Sequence, residues 1–405
     1  MVRWSGRKLK VPLPARAPGP NRAWDIWAAP YRPLFLAASL CAVFVIFWWP
    51  LAAQFWVPAG RIEIPVIWHA HEMLFGFIGA AVGGYLLTAL PSWTGHSPLH
   101  GKELICLTLL WVLARVVAAF AGSLPLIVLL LPGAGYFLLL TGSLLWRIIA
   151  AKAWPRIGFC AATATLGIAD VVFWVQADRG YPADSLEIVR WMILVIAILA
   201  SVIGNKAIPA FTANWLLVRG VKGELPRAKA PVPAAIVLAA ALVLQGAGWS
   251  LASAWSLLIA AGLLLWPMRK WRTVAIWSDP LLVMLHLAYL WLPLGIGIVG
   301  LTRIGFVPLS NASALHVITI GAFGGLIFAI AGRTAARRVD GGLQAAPGFA
   351  LGALLIWFAV PVRLVENGTG LAGLLWDLGW SLFLIGFILA LRGPPPWPVL
   401  SGRRA

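Results

Sequence analysis

The chain reads as an all-α, polytopic integral membrane protein of about twelve transmembrane helices with both termini in the cytoplasm. Three observations predict this. Apolar residues make up 61% of the 405 residues and only 11% are charged, against roughly 25% in a soluble domain, so polar side chains are too few to wet a closed surface. The apolar residues fall in runs of about 20, the length that crosses hydrocarbon as a helix, whereas barrel strands need about 10. Of the 31 Lys and Arg residues, 25 lie in alternate loops and the two tails, five in the opposite loops, and one, Arg115, inside a run. The positive-inside rule demands that asymmetry of twelve spans with cytoplasmic ends, and an odd number would destroy it. The same scatter excludes nucleic acid as a partner. The net charge of +18 is never gathered on one soluble face.

Residues 1–33 form a basic, Pro-rich cytoplasmic tail, and the apolar run from Leu34 to Val57 is too long for a signal-peptide core, so it is a retained first span. Further spans follow at about 66–90, 103–121, 124–149, 157–176 and 186–205. A cytoplasmic loop at 206–230, the longest, divides the chain six plus six. The second half spans about 231–249, 252–268, 279–300, 310–332, 347–364 and 371–392, and 393–405 is a cytoplasmic tail. Residues 34–392 thus make one transmembrane domain. The midway loop suits an internal duplication like those of secondary transporters, but the polar positions of the two halves do not match. Trp residues near span ends (Trp48, Trp49, Trp56, Trp68, Trp154, Trp266, Trp271) fit an interfacial belt. Cys41, Cys106 and Cys160 sit singly in different runs without CxxC spacing, as small apolar filler.

Ionisable residues inside spans are costly and mark functional candidates. The second span opens with WHAHEMLFGF, which places His69, His71 and Glu72 at its outer end. Arg115, Asp170, His316 and Asp377 lie, by helix rise, within about 15 Å of the outer surface. Arg363 and Glu366 end the eleventh span on that side, and His286 lies towards the cytoplasm at a depth of about 10 Å. His96 and His100 belong to a wetted loop. At about 100° per residue, His69 and His71 point to nearly opposite faces of a straight helix. Either they serve two sites, or the first turn is distorted, or one supports the other from behind. The His69 face continues through Gly76, Ala80 and Gly83, and the His316 helix carries Gly321, Gly324 and Gly325. Such small residues admit another helix or a flat macrocycle. Four of only six histidines in spans point to metal or haem ligation by His69, His71, His286 and His316, since neutral imidazole is a ligand for haem iron, copper and zinc. A proton relay or transport site is the competing role. Arg115, Asp170, Arg363 and Asp377 either pair with one another or, for Arg115 and Arg363, hold haem propionates. His286 lies too deep to share an iron with His316, so two metal centres are expected.

The segments WHAHEMLFGFIGAAVGGYLLTALPSWTG, GNKAIPAFTANWL, LHLAYLWLPLGIGIVG and ALHVITIGAFGGLIFAIAGR resemble the signature segments of the NnrS family of bacterial membrane proteins, from about residue 25 to the C-terminus. The resemblance implies twelve spans in the bacterial cytoplasmic (inner) membrane, haem and copper as cofactors, and a link to nitric oxide metabolism, denitrification and nitrosative-stress resistance. Carried over by motif, the implied residues are His69, His71, Glu72, His286 and His316, with Asn205, Lys206, Pro209 and Arg333. Many relatives follow the last arginine with GHTG; this chain has AARRVDG, without the histidine.

The leading expectation is therefore a protein carrying non-covalent haem b, since CxxCH is absent, and copper, that binds or turns over nitric oxide or another small apolar ligand reaching it from the lipid bilayer. Were it an enzyme, it would be a haem-dependent oxidoreductase, with Glu72 as catalytic proton group and quinol or a periplasmic protein as electron donor. Haem-copper oxidases need six metal histidines with an adjacent pair, which this chain lacks. A second reading is a secondary transporter of small molecules or metal ions. The glycine–aspartate–basic loop familiar in major-facilitator transporters is replaced here by PSWTGHSPLHGK.

Overall fold

The computed structural model describes residues 25–55, 65–339, 342–393 and 395. The expectations for residues 1–24 of the basic tail, for Trp56 and Arg61, and for most of the C-terminal tail lie outside them.

Twelve helices of 15 residues or more run through the described residues: α1 (Tyr31–Phe55), α2 (Pro65–Thr94), α3 (Gly101–Ala119), α4 (Leu126–Ala150), α5 (Ile157–Asp178) and α6 (Pro182–Val218), then α7 (Val232–Gly246), α8 (Ser250–Met268), α9 (Pro280–Arg303), α10 (Asn311–Ala335), α11 (Phe349–Leu364) and α12 (Thr369–Leu391). A short antiparallel pair, β1 (Arg337–Val339) and β2 (Gly342–Gln344), joins α10 to α11. Nine of these helices are long and apolar enough to cross a membrane. The others are α3, which carries Lys102, Glu103 and Arg115, and the 15- and 16-residue α7 and α11. The chain is an all-α, multi-pass membrane protein.

One segment departs from the sequence expectation. Residues 206–218, read as part of a cytoplasmic loop, continue α6 as helix. Pro209 sits inside that helix, and the segment buries Ile208, Thr212 and Leu216, so packing outweighs the missing backbone donor. A second departure concerns Trp68 and Trp271, both expected in the interfacial belt and both buried; Trp271 packs on Tyr289 at 4.9 Å between ring centres.

Sequence neighbours pack side by side, and α12 returns against α1, while α6 touches α2, α9 and α10 in the interior. The most apolar stretch of α2 is 83% buried and that of α8 only 33%, which makes α2 a core helix and α8 a lipid-facing one. Buried Arg32 closes the ring: its Nη1 donates to the carbonyls of Asp25 at 2.9 Å and Leu391 at 3.4 Å, and its Nη2 to that of Gly393. The start of α1 and the end of α12 therefore share one end of the bundle, as an even number of helices requires.

Both α2 and α10 contain π-helical stretches, Glu72–Ile78 and Val317–Gly324. A wider turn shifts the backbone register and displaces carbonyls from their usual donors. In hydrocarbon such groups need protein partners. Around the first stretch they have them. Trp111 Nε1 donates to Gly76 O at 3.0 Å, the Tyr136 hydroxyl to Gly79 O at 2.9 Å, and the Cys41 thiol to Glu72 O at 3.7 Å.

Close approach of α9 and α10 depends on Gly325, where an added Cβ would lie 2.7 Å from the Ala288 Cβ. Gly325→Val should lower stability by about 1–3 kcal/mol through overpacking. Gly142→Val, at a position with nothing within 4 Å, should leave it nearly unchanged. Thermal unfolding of the two variants in one detergent checks this, and equal midpoints would refute it.

Candidate metal centre

The two histidines of the WHAHE segment part company. His71 turns into the protein, where its Nδ1 lies 2.9 Å from Glu72 Oε1 and its Nε2 2.8 Å from Asp170 Oδ1 of α5. Glu72 Oε1 in turn accepts from Arg115 Nη1 of α3 at 2.8 Å. His71, Glu72 and Asp170 are all at most 3% exposed. Two hydrogen bonds require two protons among His71, Glu72 and Asp170. Counted so, the trio carries one negative charge, which the Arg115 guanidinium cancels. The cluster is electroneutral, which is how four ionisable groups can share a water-free interior. Phe75, Phe173 and Trp174 surround the imidazole at ring-centre distances of 5.0, 4.7 and 4.6 Å. Gly133 of α4 completes the enclosure, since a Cβ there would collide with Asp170 Oδ2. Nothing in the sequence singled out Gly133, because its role is to leave room for a side chain on the next helix.

His69 meets His316 instead. Their ring centres are 6.5 Å apart and their planes 12° from parallel. With metal–nitrogen bonds of about 2.0–2.1 Å and about 1.2 Å from ring centre to nitrogen, two imidazoles in line on one metal have centres about 6.5 Å apart. His316 Nδ1 lies 2.6 Å from the carbonyl oxygen of Ala312, one turn earlier. Only an Nδ1–H can make that bond, so Nε2 is left with its lone pair. A backbone carbonyl holding the far N–H is the usual arrangement of a metal-bound histidine. Both helices change to π geometry just past the pair, at Glu72 and Val317.

His286 in α9 is engaged at both nitrogens. Thr212 Oγ1 of α6 lies 2.9 Å from Nε2, and Thr273 Oγ1 lies 2.9 Å from Nδ1. The sequence reading missed both threonines, which are 74 and 13 residues away in the chain. Arg363 donates Nη1 to Ser313 Oγ at 3.2 Å, one turn before His316. Arg115, Asp170, Arg363 and Asp377, which the sequence left either to pair with one another or, for the two arginines, to hold haem propionates, show no direct pairing with one another among the described residues. Arg115 and Asp170 join through Glu72 and His71, and Asp377 Oδ1 has no hydrogen-bond partner among the described residues. Asn205 donates to Ser201 O at 3.1 Å and to the Tyr289 hydroxyl, and buried Arg333 lies over the Phe211 ring at 4.1 Å. His96 lies in the loop after α2, with Trp146 at 5.8 Å.

The donor set bears on which metal fits. Among the described residues, no group of three or more His, Cys, Asp or Glu is placed to hold a metal ion. Two imidazoles suffice where a porphyrin supplies four further nitrogens, or for a low-coordinate copper ion. The donor pair therefore fits either group. The small-residue faces do not serve as a macrocycle slot. The space beside Gly76 is taken by Arg115 and Cys41 at 3.0 Å, that beside Gly83 by the Tyr136 hydroxyl, and that beside Gly321 and Gly324 by the rings of Trp291 and Trp376. One apolar cavity of about 80 Å³ is lined by Ile78 and Ala81 of α2, Ile203 of α6, Leu285 of α9, and Phe323 and Ile327 of α10. Ile78 and Phe323 belong to the two π stretches.

Removing one member of a buried charge cluster strands the rest. Asp170→Ala should cost about 3 kcal/mol of stability, whereas Asp377→Ala, at a half-buried position, should cost well under about 1 kcal/mol. Denaturation of both variants in detergent checks the contrast, which fails if Asp377→Ala is the more damaging.

A comparison with curated proteins finds no match. A family model described as NnrS protein matches residues 25–394, nearly the whole chain, and it covers every residue of the His69–His316 pair and of the His71 cluster. The chain belongs to the NnrS family.

Proposed function

We propose that this protein is a nitric-oxide-linked metalloprotein of the bacterial cytoplasmic membrane, spanning it twelve times with both termini inside, and that His69 and His316 hold its metal. The observation that carries this reading is the spacing of the two rings, 6.5 Å, together with the hydrogen bond that leaves His316 Nε2 bare. Haem b and copper are the cofactors proposed, and His69 and His316 are the residues that would hold either. When bound, either metal supplies a centre for a neutral diatomic gas such as nitric oxide.

The chain's own residues do the rest. Ala312 and the first turn of α10 fix the His316 ring, and Arg363 braces that turn through Ser313. The apolar cavity between α2, α6, α9 and α10 offers space to a ligand that partitions from lipid, and its 80 Å³ exceeds the roughly 10–15 Å³ that one small probe molecule needs. Glu72, proposed as a proton group, is already committed to Arg115 and His71. Binding or sensing of nitric oxide therefore has more support than its reduction, which would also need an electron donor such as quinol or a periplasmic protein.

His69→Ala and His316→Ala should each abolish the Soret band or the bound copper of detergent-purified protein, and nitric oxide binding with it. His286→Ala, His96→Ala and His100→Ala should retain both. Absorption spectra, pyridine haemochrome and elemental analysis read the result. Retention of metal in a His69→Ala/His316→Ala double variant that still unfolds cooperatively would reject the site. Colourless, metal-free wild-type protein made with ample haem and copper would favour the transporter reading. Introduced cysteines in 219–231 should label only from the cytoplasmic side; labelling from outside would overturn the orientation.

A further inference from the structure

At the end of the bundle where α6, α8 and α10 begin and α7 and α9 finish, five elements surround a cleft of about 520 Å³. Its lining is unlike the rest of the molecule. Arg190, Arg303, Gln245, Ser250, Thr302 and Asn311 face it, with Val299, Leu309 and Leu315 along one flank. We propose that this cleft binds a singly charged phosphate group, either free inorganic phosphate or the phosphodiester headgroup of an anionic phospholipid.

Charge and donor accounting carry the assignment. Arg190 Nη1 is paired with Glu187, which also lines the cleft. Among the described residues Arg303 has no carboxylate within ion-pair distance. Its Nη1 donates to Gln245 Oε1 at 3.1 Å and to Ser253 Oγ at 3.4 Å, so two neutral oxygens fix the guanidinium without cancelling its charge. Its Nη2 and Nε have no hydrogen-bond acceptor among the described residues and remain for a ligand. The cleft thus holds one net positive charge and a forked donor that matches two oxygens of one phosphate. The Ser250 hydroxyl and Asn311 amide, on residues that line the cleft, add neutral donors. Two helices, α8 and α10, start at the cleft, and their first backbone N–H groups favour an anion there. The apolar flank suits the glycerol and acyl end of a lipid. A free ion would use the polar side alone.

Full-length protein in neutral detergent tests the proposal with two probes. Native mass spectrometry measures retention of phosphatidylglycerol against phosphatidylcholine, and titration calorimetry measures inorganic phosphate against chloride. Phosphatidylglycerol or phosphate should bind in preference to its control, and Arg303→Gln should weaken that binding about tenfold or more, the loss expected of a charge-assisted hydrogen bond. Arg303→Lys, which keeps the charge and loses the fork, should fall between. Preference for the lipid alone assigns the headgroup as the source, and preference for phosphate alone assigns the free ion. If Arg303→Gln fails to fold, Ser250→Ala serves in its place and should weaken the same binding. Equal binding of each probe and its control, or binding unchanged in the folded variants, overturns the proposal.

Discussion

Inside a bilayer no water stands ready to satisfy a stray polar group, so every donor, acceptor and charge must find its partner within the protein. The architecture around α2 answers that constraint. Its π-helical stretch displaces carbonyls in the buried middle of the bundle, and Trp111, Tyr136 and Cys41 reach in from three other helices to receive them. The same segment carries His71 and Glu72, whose hydrogen bonds to Asp170 of α5 and Arg115 of α3 complete the electroneutral cluster. Satisfying α2 thus fixes where α1, α3, α4 and α5 lie against it.

That scaffold separates two histidines two residues apart. His71 is committed inwards to the charge cluster, and His69 is turned across to α10. The electroneutral cluster makes His71 a structural fixture that sets the rotation of α2, and that rotation aims His69 at His316. On α10 the complementary device is a single backbone carbonyl. By taking the Nδ1 proton, Ala312 decides which nitrogen of His316 is free. The proposed metal site therefore rests on hydrogen bonds one step behind it.

The His286 site shows the same logic with another outcome. Thr212 and Thr273 occupy both of its nitrogens, so a buried histidine on a family motif acts to join α6 to α9 and the turn before α9. Histidine count alone could not separate these cases. The feature that separates His316 from His286 is which ring nitrogens their hydrogen bonds occupy.

Much was legible in the sequence. Runs of apolar residues bounded by Pro, Gly and basic side chains locate all twelve helices, eleven of them to within a few residues at both ends, because a span must be long, apolar and internally hydrogen-bonded whatever it packs against. The pattern failed at 206–218, where Asn205, Lys206 and Pro209 look like a loop in isolation. There the helix continues because Thr212 and Leu216 are buried against neighbours that only the fold supplies. Helical periodicity also showed that His69 and His71 face apart, and left open what each one faces. Their partners, Asp170 and His316, are 99 and 247 residues away, and no local rule pairs residues at that separation. The residue types, the spans and the likeness to a family are properties of the chain by itself. Which imidazoles meet, which are already satisfied, and where an arginine is left with free donors were decided by tertiary packing, because in a medium without water each polar atom's role is set by the atoms that happen to surround it.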